Sequence, residues 1–342
     1  MSIKINNYFI GIMTGTSADA IDGCIVSFDN GFELVESASI ELQSSYKKNY
    51  EECIKAGLRT TDKSKKLLQL ENFLNDKTIE LVKILINKSK IDTSKISSIA
   101  FSGQTIFHTN KISFQIGNPS YIANESLINV YSDFRNFDIK NGGIGAPLIP
   151  AFHSYLYSEK DKNKVVFNIG GIANGTYLKN GNIFLATDVG PGNCLIDYVM
   201  SERLNKPFDN KGIEASKGEV EEVFFQKLIN SCSHMKYPRA DDKQIYYDLI
   251  DSSFSEIELN SVIRTLTEFT AEKIKEFYVF CEEPEEVIIH GGGTKNIFLM
   301  RLIENKISAN LKSTDEYIPS QFVEAAGFAY LAYLKRGEIF TF

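Results

Sequence analysis

Residues 8–31, YFIGIMTGTSADAIDGCIVSFDNG, carry most of the information that decides the fold. YFIGIM (8–13) and IDGCIVSFD (21–29) are rich in the β-branched and aromatic residues that strands favour. GTSAD between them has the composition of a turn. Asn30-Gly31 is a strong hairpin signal that leads into a third run, FELVESASIELQ. We therefore predict a meander of three antiparallel strands at the start of the chain.

A second meander is predicted in the other half of the chain. KVVFNIGG (164–171) ends in glycines, and Asn180-Gly181 makes a hairpin turn into NIFLATDVG (182–190). Hydrophobic periodicity after each meander predicts helices and then a buried strand. The predicted helices lie within 45–90, near 193–204, within 216–230 and within 260–280. The predicted strands cover 96–103 and 285–293, and a buried final helix is predicted over 322–338. Two related α/β lobes follow from this repetition.

Composition limits the class of protein. Hydrophobic residues make up 43% of the 342 residues, and 37 basic against 44 acidic side chains give a net charge of −7. An acidic chain argues against a nonspecific nucleic-acid binder, and no apolar run is long enough to predict a membrane span or a secretory signal. The five cysteines are widely spaced without a C-x-x-C pattern, which favours buried reduced thiols in a cytoplasmic protein.

Four glycine-containing segments lie where predicted strands end. They are GTSADAID (15–22), NIGGIAN (168–174), DVGPGN (188–193) and HGGGTKN (290–296). Glycine lets backbone N–H groups approach a ligand closely, so such turns suit phosphate binding. A single one would more often only reverse the chain. Four of them in two lobes are typical of a nucleotide clamp.

These segments also carry a resemblance. The chain resembles the anhydro-N-acetylmuramic acid kinases, members of the sugar kinase/Hsp70/actin superfamily. Modest departures occur at Ala18, Ala20, Val189 and Ile144, where the family commonly has Leu, Gly, Thr and Gln. The matching segments, in order, are FIGIMTGTSADAIDG, SGQTIFH, FQIGNP, SDFRNFDIKNGGIGAPLIPAFH, NIGGIAN, TDVGPGNCLID, TLTEFTA, HGGGTKN and FVEAAGFA.

The resemblance implies an α/β fold of two ribonuclease-H-like lobes, each a strand meander plus helices, around an interlobe nucleotide cleft. Residues 1–140 with 320–342 would form the N-terminal lobe, with the phosphate loop and the returning C-terminal helix. Residues 141–319 would form the C-terminal lobe, with the catalytic aspartate and the glycine turn on the adenosine side. The Gly/Pro-rich stretch NGGIGAPLIP (141–150) is the predicted boundary.

The resemblance also assigns site residues. Asp188 would be the general base that takes a proton from water, although an Asp there could also only cap the following helix. Arg135 would pair with the lactyl carboxylate of a muramic acid, and Asp133 and Glu324 would be further sugar contacts. A surface ion pair is the alternative for Arg135, and a charge that suits the helix N-terminus is the alternative for Glu324. His108 and His153 are interpreted as structural residues.

The resemblance also implies ATP and Mg²⁺ as cofactors. A carboxylate of the first loop, with Asp22 as the candidate, would hold the hydrated Mg²⁺. The residues predicted to bind ATP are Gly15, Thr16, Ser17, Ala18, Asp19, Ala20, Ile21, Asp22, Asn168, Gly170, Gly171, Gly190, Gly192, Asn193, Gly291, Gly292 and Gly293. For the segment from Asn168 to Asn174, a hairpin end without ligand contacts is an equally good interpretation.

The function implied is that of a phosphotransferase with an alcohol acceptor. The enzyme would use ATP to open 1,6-anhydro-N-acetylmuramic acid and form N-acetylmuramic acid 6-phosphate, in peptidoglycan recycling. A cytoplasmic homodimer that binds neither nucleic acid nor membrane is expected. Two alternatives stay open. One is a plain hexose or amino-sugar kinase, in which Asp188 deprotonates a sugar 6-hydroxyl. The other is a non-enzymatic ATP-binding protein of the Hsp70 or actin kind, although 342 residues leave no obvious extra domain.

Overall fold

The computed structural model of the chain describes residues 7–57, 64–250, 254 and 256–342. They form two compact units. The first holds the described residues up to Phe152 together with Phe322–Phe342, and the second holds His153–Gln321. The division after Phe152 lies just beyond the Gly/Pro-rich stretch 141–150. Residues 58–63, part of the predicted helical stretch 45–90, lie outside the described residues.

The first unit begins with the predicted meander. Ser64 caps the longest helix of this unit by accepting a hydrogen bond from the Leu67 amide, and the apolar face of that helix packs on the sheet. The elements are β1 (Tyr8–Thr14), β2 (Ala20–Ser27), β3 (Glu33–Glu41), α1 (Ser44–Lys55), α2 (Lys65–Ser89), β4 (Ile96–Phe101), β5 (Gln104–His108), β6 (Ser113–Ile116), α3 (Pro119–Ser126), β7 (Val130–Ser132) and α4 (Phe134–Lys140). Helix α5 (Pro150–Tyr157) begins in this unit and ends in the second.

The second unit begins with the second meander. Asn180 and Gly181 have φ values of 51° and 78°, the left-handed pair that the hairpin signal predicted. The elements are β8 (Lys164–Ile169), β9 (Ile172–Lys179), β10 (Asn182–Pro191), α6 (Cys194–Leu204), α7 (Glu222–Cys232), α8 (Lys243–Tyr247), α9 (Leu259–Phe280), β11 (Glu286–His290), α10 (Ile297–Lys306) and β12 (Asn310–Ser313).

The chain then returns to the first unit through α11 (Val323–Tyr333) and β13 (Glu338–Phe340). The predicted final helix over 322–338 was too long, since α11 ends at Tyr333 and Lys335 adopts a left-handed φ of 57°. β13 instead pairs antiparallel with β7. The helix predicted over 216–230 begins only at Glu222, after a short 3₁₀ turn over Ala215–Lys217.

Besides the two-stranded sheet β5-β6, the described residues form two larger sheets, which share one order of five strands, β3-β2-β1-β4-β7 and β10-β9-β8-β11-β12. In the first unit the order is β13-β7-β4-β1-β2-β3, and in the second it is β10-β9-β8-β11-β12. In both sheets an antiparallel meander is continued by parallel strands beside its first strand. The β1–β2 turn and the β8–β9 turn therefore occupy equivalent positions. This repetition confirms the prediction of two lobes with duplicated meanders.

Gly11 in the centre of β1 is required by packing. A Cβ added there would overlap the carbonyl oxygen of Ala325 in the first turn of α11. The absence of a side chain lets α11 lie directly on β1, so that Glu324 is held near the strand that leads into the first glycine turn.

Two further expectations concern the whole chain. In the part of the chain that the structure describes, no helix has the length and apolar character needed to cross a membrane. All five cysteines are buried free thiols, as predicted. Burial raises the pKa of Cys24 and of Cys194 to about 12.

Candidate functional site

The turn between β1 and β2 is a compact loop built by its own polar groups. The Ala18 amide donates to the Gly15 carbonyl over 3.0 Å, and Ala18 has a left-handed φ of 50°. The Ser17 hydroxyl donates to Asp19 Oδ1 over 2.6 Å. Thr16 and Asp19 are exposed. The loop thus presents hydroxyl and carboxylate groups to solvent, as phosphate and hydrated Mg²⁺ binding requires.

Not every predicted residue of this loop can meet a ligand with its side chain. Ala18 and Ile21 are fully buried in the hydrophobic core of the unit. Only their backbone atoms are therefore available to a phosphate. The Asp22 carboxylate accepts a hydrogen bond of 2.7 Å from the Ser39 hydroxyl on β3. This bond orients Asp22 from within the sheet.

The loop oxygens fit a metal that is held mainly by phosphate and water. Among the residues that the structure describes, no group of three or more His, Cys, Asp and Glu side chains is arranged to hold a metal. Mg²⁺ in nucleotide sites typically takes one or two carboxylates and completes its shell with phosphate oxygens and water. Asp19 and Asp22 are hard oxygen donors of the required kind.

Gln104, at the start of β5, supports the first loop and was not among the predicted site residues. It is fully buried, and its Nε2 donates to the Gly15 carbonyl over 3.0 Å. Ser102 acts beside it, since its hydroxyl oxygen accepts from the Thr14 amide over 3.3 Å. The sequence signal that could have indicated Gln104 was the segment SGQ (102–104), which directly follows the buried strand β4. This strand lies parallel to β1.

Replacing Gln104 with methionine is expected to weaken ATP binding about 5–10-fold, because the Gly15 carbonyl loses a buried donor worth about 1 kcal/mol. The fold should be retained, since methionine matches the shape of the side chain. Gln115→Met on the neighbouring β6 is the matched control and should leave the dissociation constant unchanged. Titration calorimetry with a non-hydrolysable ATP analogue measures both. Equal affinities in the two variants would contradict this role of Gln104.

In the second unit the structure brings two predicted loops together. The Gly192 and Asn193 amides donate to the Gly171 and Gly170 carbonyls over 2.9 and 2.8 Å. The Asn193 side chain adds a bond of 3.1 Å to the Gly170 carbonyl. These amides therefore form hydrogen bonds that join the two loops to each other. The contribution of Gly192 and Asn193 to a phosphate site would lie in shaping it.

A lysine lies against the same loops. The Lys243 Nζ is 2.8 Å from the position that a Cβ on Gly171 would take. Burial raises the pKa of the neighbouring Cys194 thiol, and the positive charge of Lys243 opposes that rise. Lys243 thus places a cation at the β8–β9 turn. The residue lies 72 positions beyond Gly171 in sequence (243 − 171), so the local motif gave no signal for it.

Asp188 lies near the end of β10, where the strand pairs with Asn174 and then passes a register shift before Gly190. The residue is nine-tenths buried. Its Oδ2 accepts a bond of 2.7 Å from the Asp241 amide, and its own amide donates to the Arg239 carbonyl over 3.0 Å. A fixed carboxylate at an irregular strand end suits a general base.

The three glycines after β11 differ in what they do. A Cβ on Gly291 would overlap the Asn168 side-chain oxygen, and Gly291 also has a left-handed φ of 91°. A Cβ on Gly293 would overlap the Ile169 side chain. Gly292 has nothing within 4 Å. Gly291 and Gly293 are therefore required by packing, whereas Gly292 is the one of the three that faces open space.

Two buried histidines, His153 and His290, lie next to this turn. The Nε2 atoms of His153 and His290 are 2.9 Å apart, and His153 Nδ1 is 2.9 Å from the Thr176 hydroxyl. Burial lowers the pKa of His290 to about 3, and burial together with His290 lowers the pKa of His153 well below its usual range. Both rings are neutral at pH 7. This supports the structural interpretation of His153.

The neutral pair predicts a pH dependence of stability. An unfolded histidine has a pKa near 6.5, so below that pH protons bind the unfolded state first. Stability is complete above pH 6.5 and falls as the pH drops toward 3. His290 alone should remove about 2 kcal/mol of unfolding free energy between pH 7 and pH 5.

Urea unfolding of the wild type and of His153→Asn/His290→Asn at both pH values checks this. The double variant should lose less stability on acidification, and the exposed His234→Asn should behave as the wild type. An unchanged pH dependence in the double variant would refute the assignment.

The predicted sugar-binding residues lie in the first unit. Arg135 Nη1 donates to the Gly145 carbonyl over 2.8 Å, and Arg135 lines a small cavity with Thr14 and Ser102. Burial raises the pKa of Asp133, which accepts a bond of 2.6 Å from the Asn136 amide group. The structure thus brings Arg135 to the end of β1, directly before the first loop.

His108 lies beside the same residues. Burial, together with the Arg135 guanidinium, lowers the pKa of His108 to about 4. Its Cε1 is 2.8 Å from the position that a Cβ on Gly145 would take. A neutral ring at this place is consistent with the structural role interpreted from the sequence. Arg135 therefore supplies the positive charge of this region.

The two larger sheets share one strand order and have glycine turns at their strand ends, which defines the predicted fold class of two α/β lobes, each a strand meander plus helices. Component A of the (R)-2-hydroxyglutaryl-CoA dehydratase from Acidaminococcus fermentans has a similar structure, with a TM-score of 0.52, 12% identity and coverage of 96% of this chain and 99% of that chain. The activator of the 2-hydroxyisocaproyl-CoA dehydratase from Clostridium difficile, solved with ADPNP, has a TM-score of 0.51 and 14% identity. That match covers 96% of this chain and 95% of the activator chain. These likenesses support the fold.

Sequence comparison supplies the family. Residues 7–339 match the family model described as anhydro-N-acetylmuramic acid kinase, and the chain belongs to this family. A relative of that name from Gamma-proteobacterium EBAC31A08 is 34% identical, over 97% of this chain and 92% of its own length. A relative of the same name from Shewanella pealeana is 33% identical, over 96% of this chain and 91% of its own length. The resemblance stated from the motifs is confirmed.

Proposed function

We propose that the protein is an ATP-dependent kinase that hydrolytically opens 1,6-anhydro-N-acetylmuramic acid and phosphorylates it to N-acetylmuramic acid 6-phosphate. The family match over residues 7–339 is the observation that carries this proposal. The geometry of Asp188 supports it, since a nine-tenths buried carboxylate is fixed at a strand end beside two glycine loops. The enzyme is therefore a phosphotransferase with an alcohol acceptor.

The chemistry couples hydrolysis to phosphoryl transfer. Asp188 takes a proton from water, and the water oxygen attacks the anomeric carbon from the face opposite the anhydro bridge. The bond between that carbon and the bridging oxygen breaks. The freed 6-oxygen then bonds to the γ-phosphorus of ATP, the bond from that phosphorus to the β–γ bridging oxygen breaks, and ADP leaves. Asp188 afterwards returns its proton to solvent. Since phosphorus captures the leaving oxygen, no separate acid is needed to protonate it.

Residues of the glycine-containing loops would bind the phosphates in this reaction. The Thr16 and Ser17 hydroxyls and the backbone amides of the first loop would hold phosphate oxygens, and Lys243 adds positive charge at the β8–β9 turn. Mg²⁺ would neutralise charge on the phosphates when bound, with Asp19 and Asp22 as its carboxylate contacts.

Recognition of the sugar is proposed for residues of the first unit. The Arg135 guanidinium would pair with the lactyl carboxylate, since a planar guanidinium matches a carboxylate with two parallel bonds. Asp133 and Glu324 would contact the ring hydroxyls. The cavity beside Arg135 also has apolar lining from Phe134, Leu148 and Phe328, which suits a lactyl methyl group.

Turnover of purified protein with ATP and Mg²⁺ tests this function against its rivals. We expect sugar-dependent ADP release with the anhydro sugar and formation of the 6-phosphate. Faster phosphorylation of open-ring N-acetylmuramic acid or of glucose would favour the plain sugar kinase. Nucleotide binding without any sugar-dependent turnover would favour the non-enzymatic alternative.

Two properties of the assembly are part of the proposal. A cytoplasmic location follows from the use of ATP and agrees with five buried free thiols. A homodimer is proposed from the family resemblance. Sedimentation equilibrium of the purified chain would give twice the chain mass of 38.5 kDa if this is right.

A further inference from the structure

The segment over residues 237–242 follows the outer edge of β10, which is the end strand of its sheet. The Arg239 amide donates to the Thr187 hydroxyl over 2.8 Å, and the Asp188 amide donates to the Arg239 carbonyl over 3.0 Å. The Asp241 amide then donates a hydrogen bond to Asp188 Oδ2 over 2.7 Å. The orientation of the Asp188 carboxylate therefore depends on a segment about 50 residues further along the chain.

This segment is itself held by a buried charged network. Arg239 Nε donates to Asp241 Oδ2 over 2.9 Å, and its Nη2 donates to the Val189 carbonyl, the residue directly after Asp188. The Tyr246 hydroxyl at the end of α8 donates to the same Asp241 oxygen. The side chains of Arg239 and Asp241 are only 10% and 3% exposed.

Arg239 and Tyr246 are in the charge states that their bonds require. Burial opposes the charge of Arg239, but the bond to Asp241 raises its pKa. Burial and the Asp241 charge raise the pKa of the Tyr246 hydroxyl, which therefore remains a donor. The guanidinium also lies over the Tyr237 ring, with Cζ 4.9 Å from the centroid. A buried ion pair with all these partners holds its geometry firmly.

We propose that Arg239, Asp241 and Tyr246 are positioning residues for the Asp188 carboxylate, which they orient by directing the Asp241 amide onto its Oδ2. This inference rests on the proposed role of Asp188 as the general base. The three side chains act through the backbone and not on the substrate. An amide that bonds the ionised carboxylate favours its charged form, so the network also keeps the base ready to accept a proton.

The test compares Asp241→Asn, Arg239→Lys and Tyr246→Phe with Glu268→Gln and Arg264→Lys. The control pair Arg264–Glu268 lies in the same unit, is also partly buried at 22% and 13% exposure, and has its guanidinium 4.8 Å from the Phe298 ring centroid. In the network variants kcat should fall about 10–100-fold with Asp241→Asn and Arg239→Lys, and less with Tyr246→Phe, while the KM values for ATP and sugar change less than threefold.

The pH profile separates positioning from a merely structural role. The acidic limb of kcat should move to higher pH in Arg239→Lys and Tyr246→Phe, which leave the charges of the network in place, and should not move in either control. If the network variants fold, and keep the kcat and the acidic limb of the wild type, the proposal is overturned. Tyr246→Phe, which removes a single oxygen, keeps the test valid if the charge variants do not fold.

A second readout does not depend on turnover. In protein labelled with ¹³C aspartate, the Asp188 carboxyl signal is identified by its loss in Asp188→Asn. Its titration midpoint should rise in Arg239→Lys and Tyr246→Phe, which leave the charges of the network in place, and stay unchanged in Glu268→Gln. If the wild type does not turn over the anhydro sugar, the proposed function fails while this measurement still decides whether the network orients Asp188. Unchanged midpoints would refute the network.

Discussion

Asp188→Asn is expected to lower kcat about 10²–10⁴-fold, the range typical of the loss of a general base. The amide keeps the size of the side chain and can still accept from the Asp241 amide, so the fold and nucleotide binding should be retained. Steady-state kinetics gives the loss of kcat, and calorimetry with a non-hydrolysable ATP analogue gives the retained affinity.

Asp209→Asn is the control for this variant. Asp209 is another buried aspartate of the second unit, and its two oxygens accept from the Glu214 and Ala215 amides over 2.9 Å each. Its replacement should lower thermal stability and leave kcat unchanged. Near wild-type kcat in Asp188→Asn would remove Asp188 from the mechanism.

Gly192→Ala is expected to have the second largest effect. A Cβ at Gly192 would overlap the Gly170 carbonyl oxygen and lie 3.2 Å from the Ala173 amide nitrogen. The two loops would have to separate, which breaks the bonds that join residues 170–171 to residues 192–194. We expect a loss of about 2–3 kcal/mol of unfolding free energy and at least a ~10-fold fall in kcat/KM for ATP.

Gly292→Ala provides the comparison. Because nothing lies within 4 Å of its added Cβ, stability should stay within about 0.5 kcal/mol of the wild type. A raised KM for ATP without a change of stability would support the predicted nucleotide contact of Gly292. Equal stability of the two alanine variants would show that the loops do not depend on the close approach at Gly192.

The meanders and their turns could be predicted because their signals are local. Asn180-Gly181 specifies its own backbone geometry, and the buried strand β8 contains the apolar run VVF (165–167). The end of α11 could not be predicted in this way. Its sequence remains compatible with a helix to 338, and the chain leaves the helix because β13 pairs with β7, some 200 residues earlier.

The candidate site divides along the same line. Glycine turns and Asp188 lie in motifs, so the sequence indicated them. Gln104, Lys243 and Arg239 act on loops 50 to 90 residues away through bonds and contacts that only the fold creates. Local pattern also gave no means of separating Gly292 from Gly291 and Gly293, because that difference depends on Asn168 and Ile169 behind them.

The coupling of ring opening to phosphoryl transfer is tested most directly by running the reaction in oxygen-18 water. If Asp188 activates water for attack on the anomeric carbon, the solvent oxygen must appear as the new anomeric hydroxyl, with inversion at that carbon. The bridging oxygen stays on the 6-carbon and becomes the ester oxygen. Mass spectrometry, performed before the open-chain form exchanges its oxygen, should find label at the anomeric position and none in the phosphate. Label in the phosphate, or rapid opening of the anhydro sugar without ATP, would contradict the coupled mechanism.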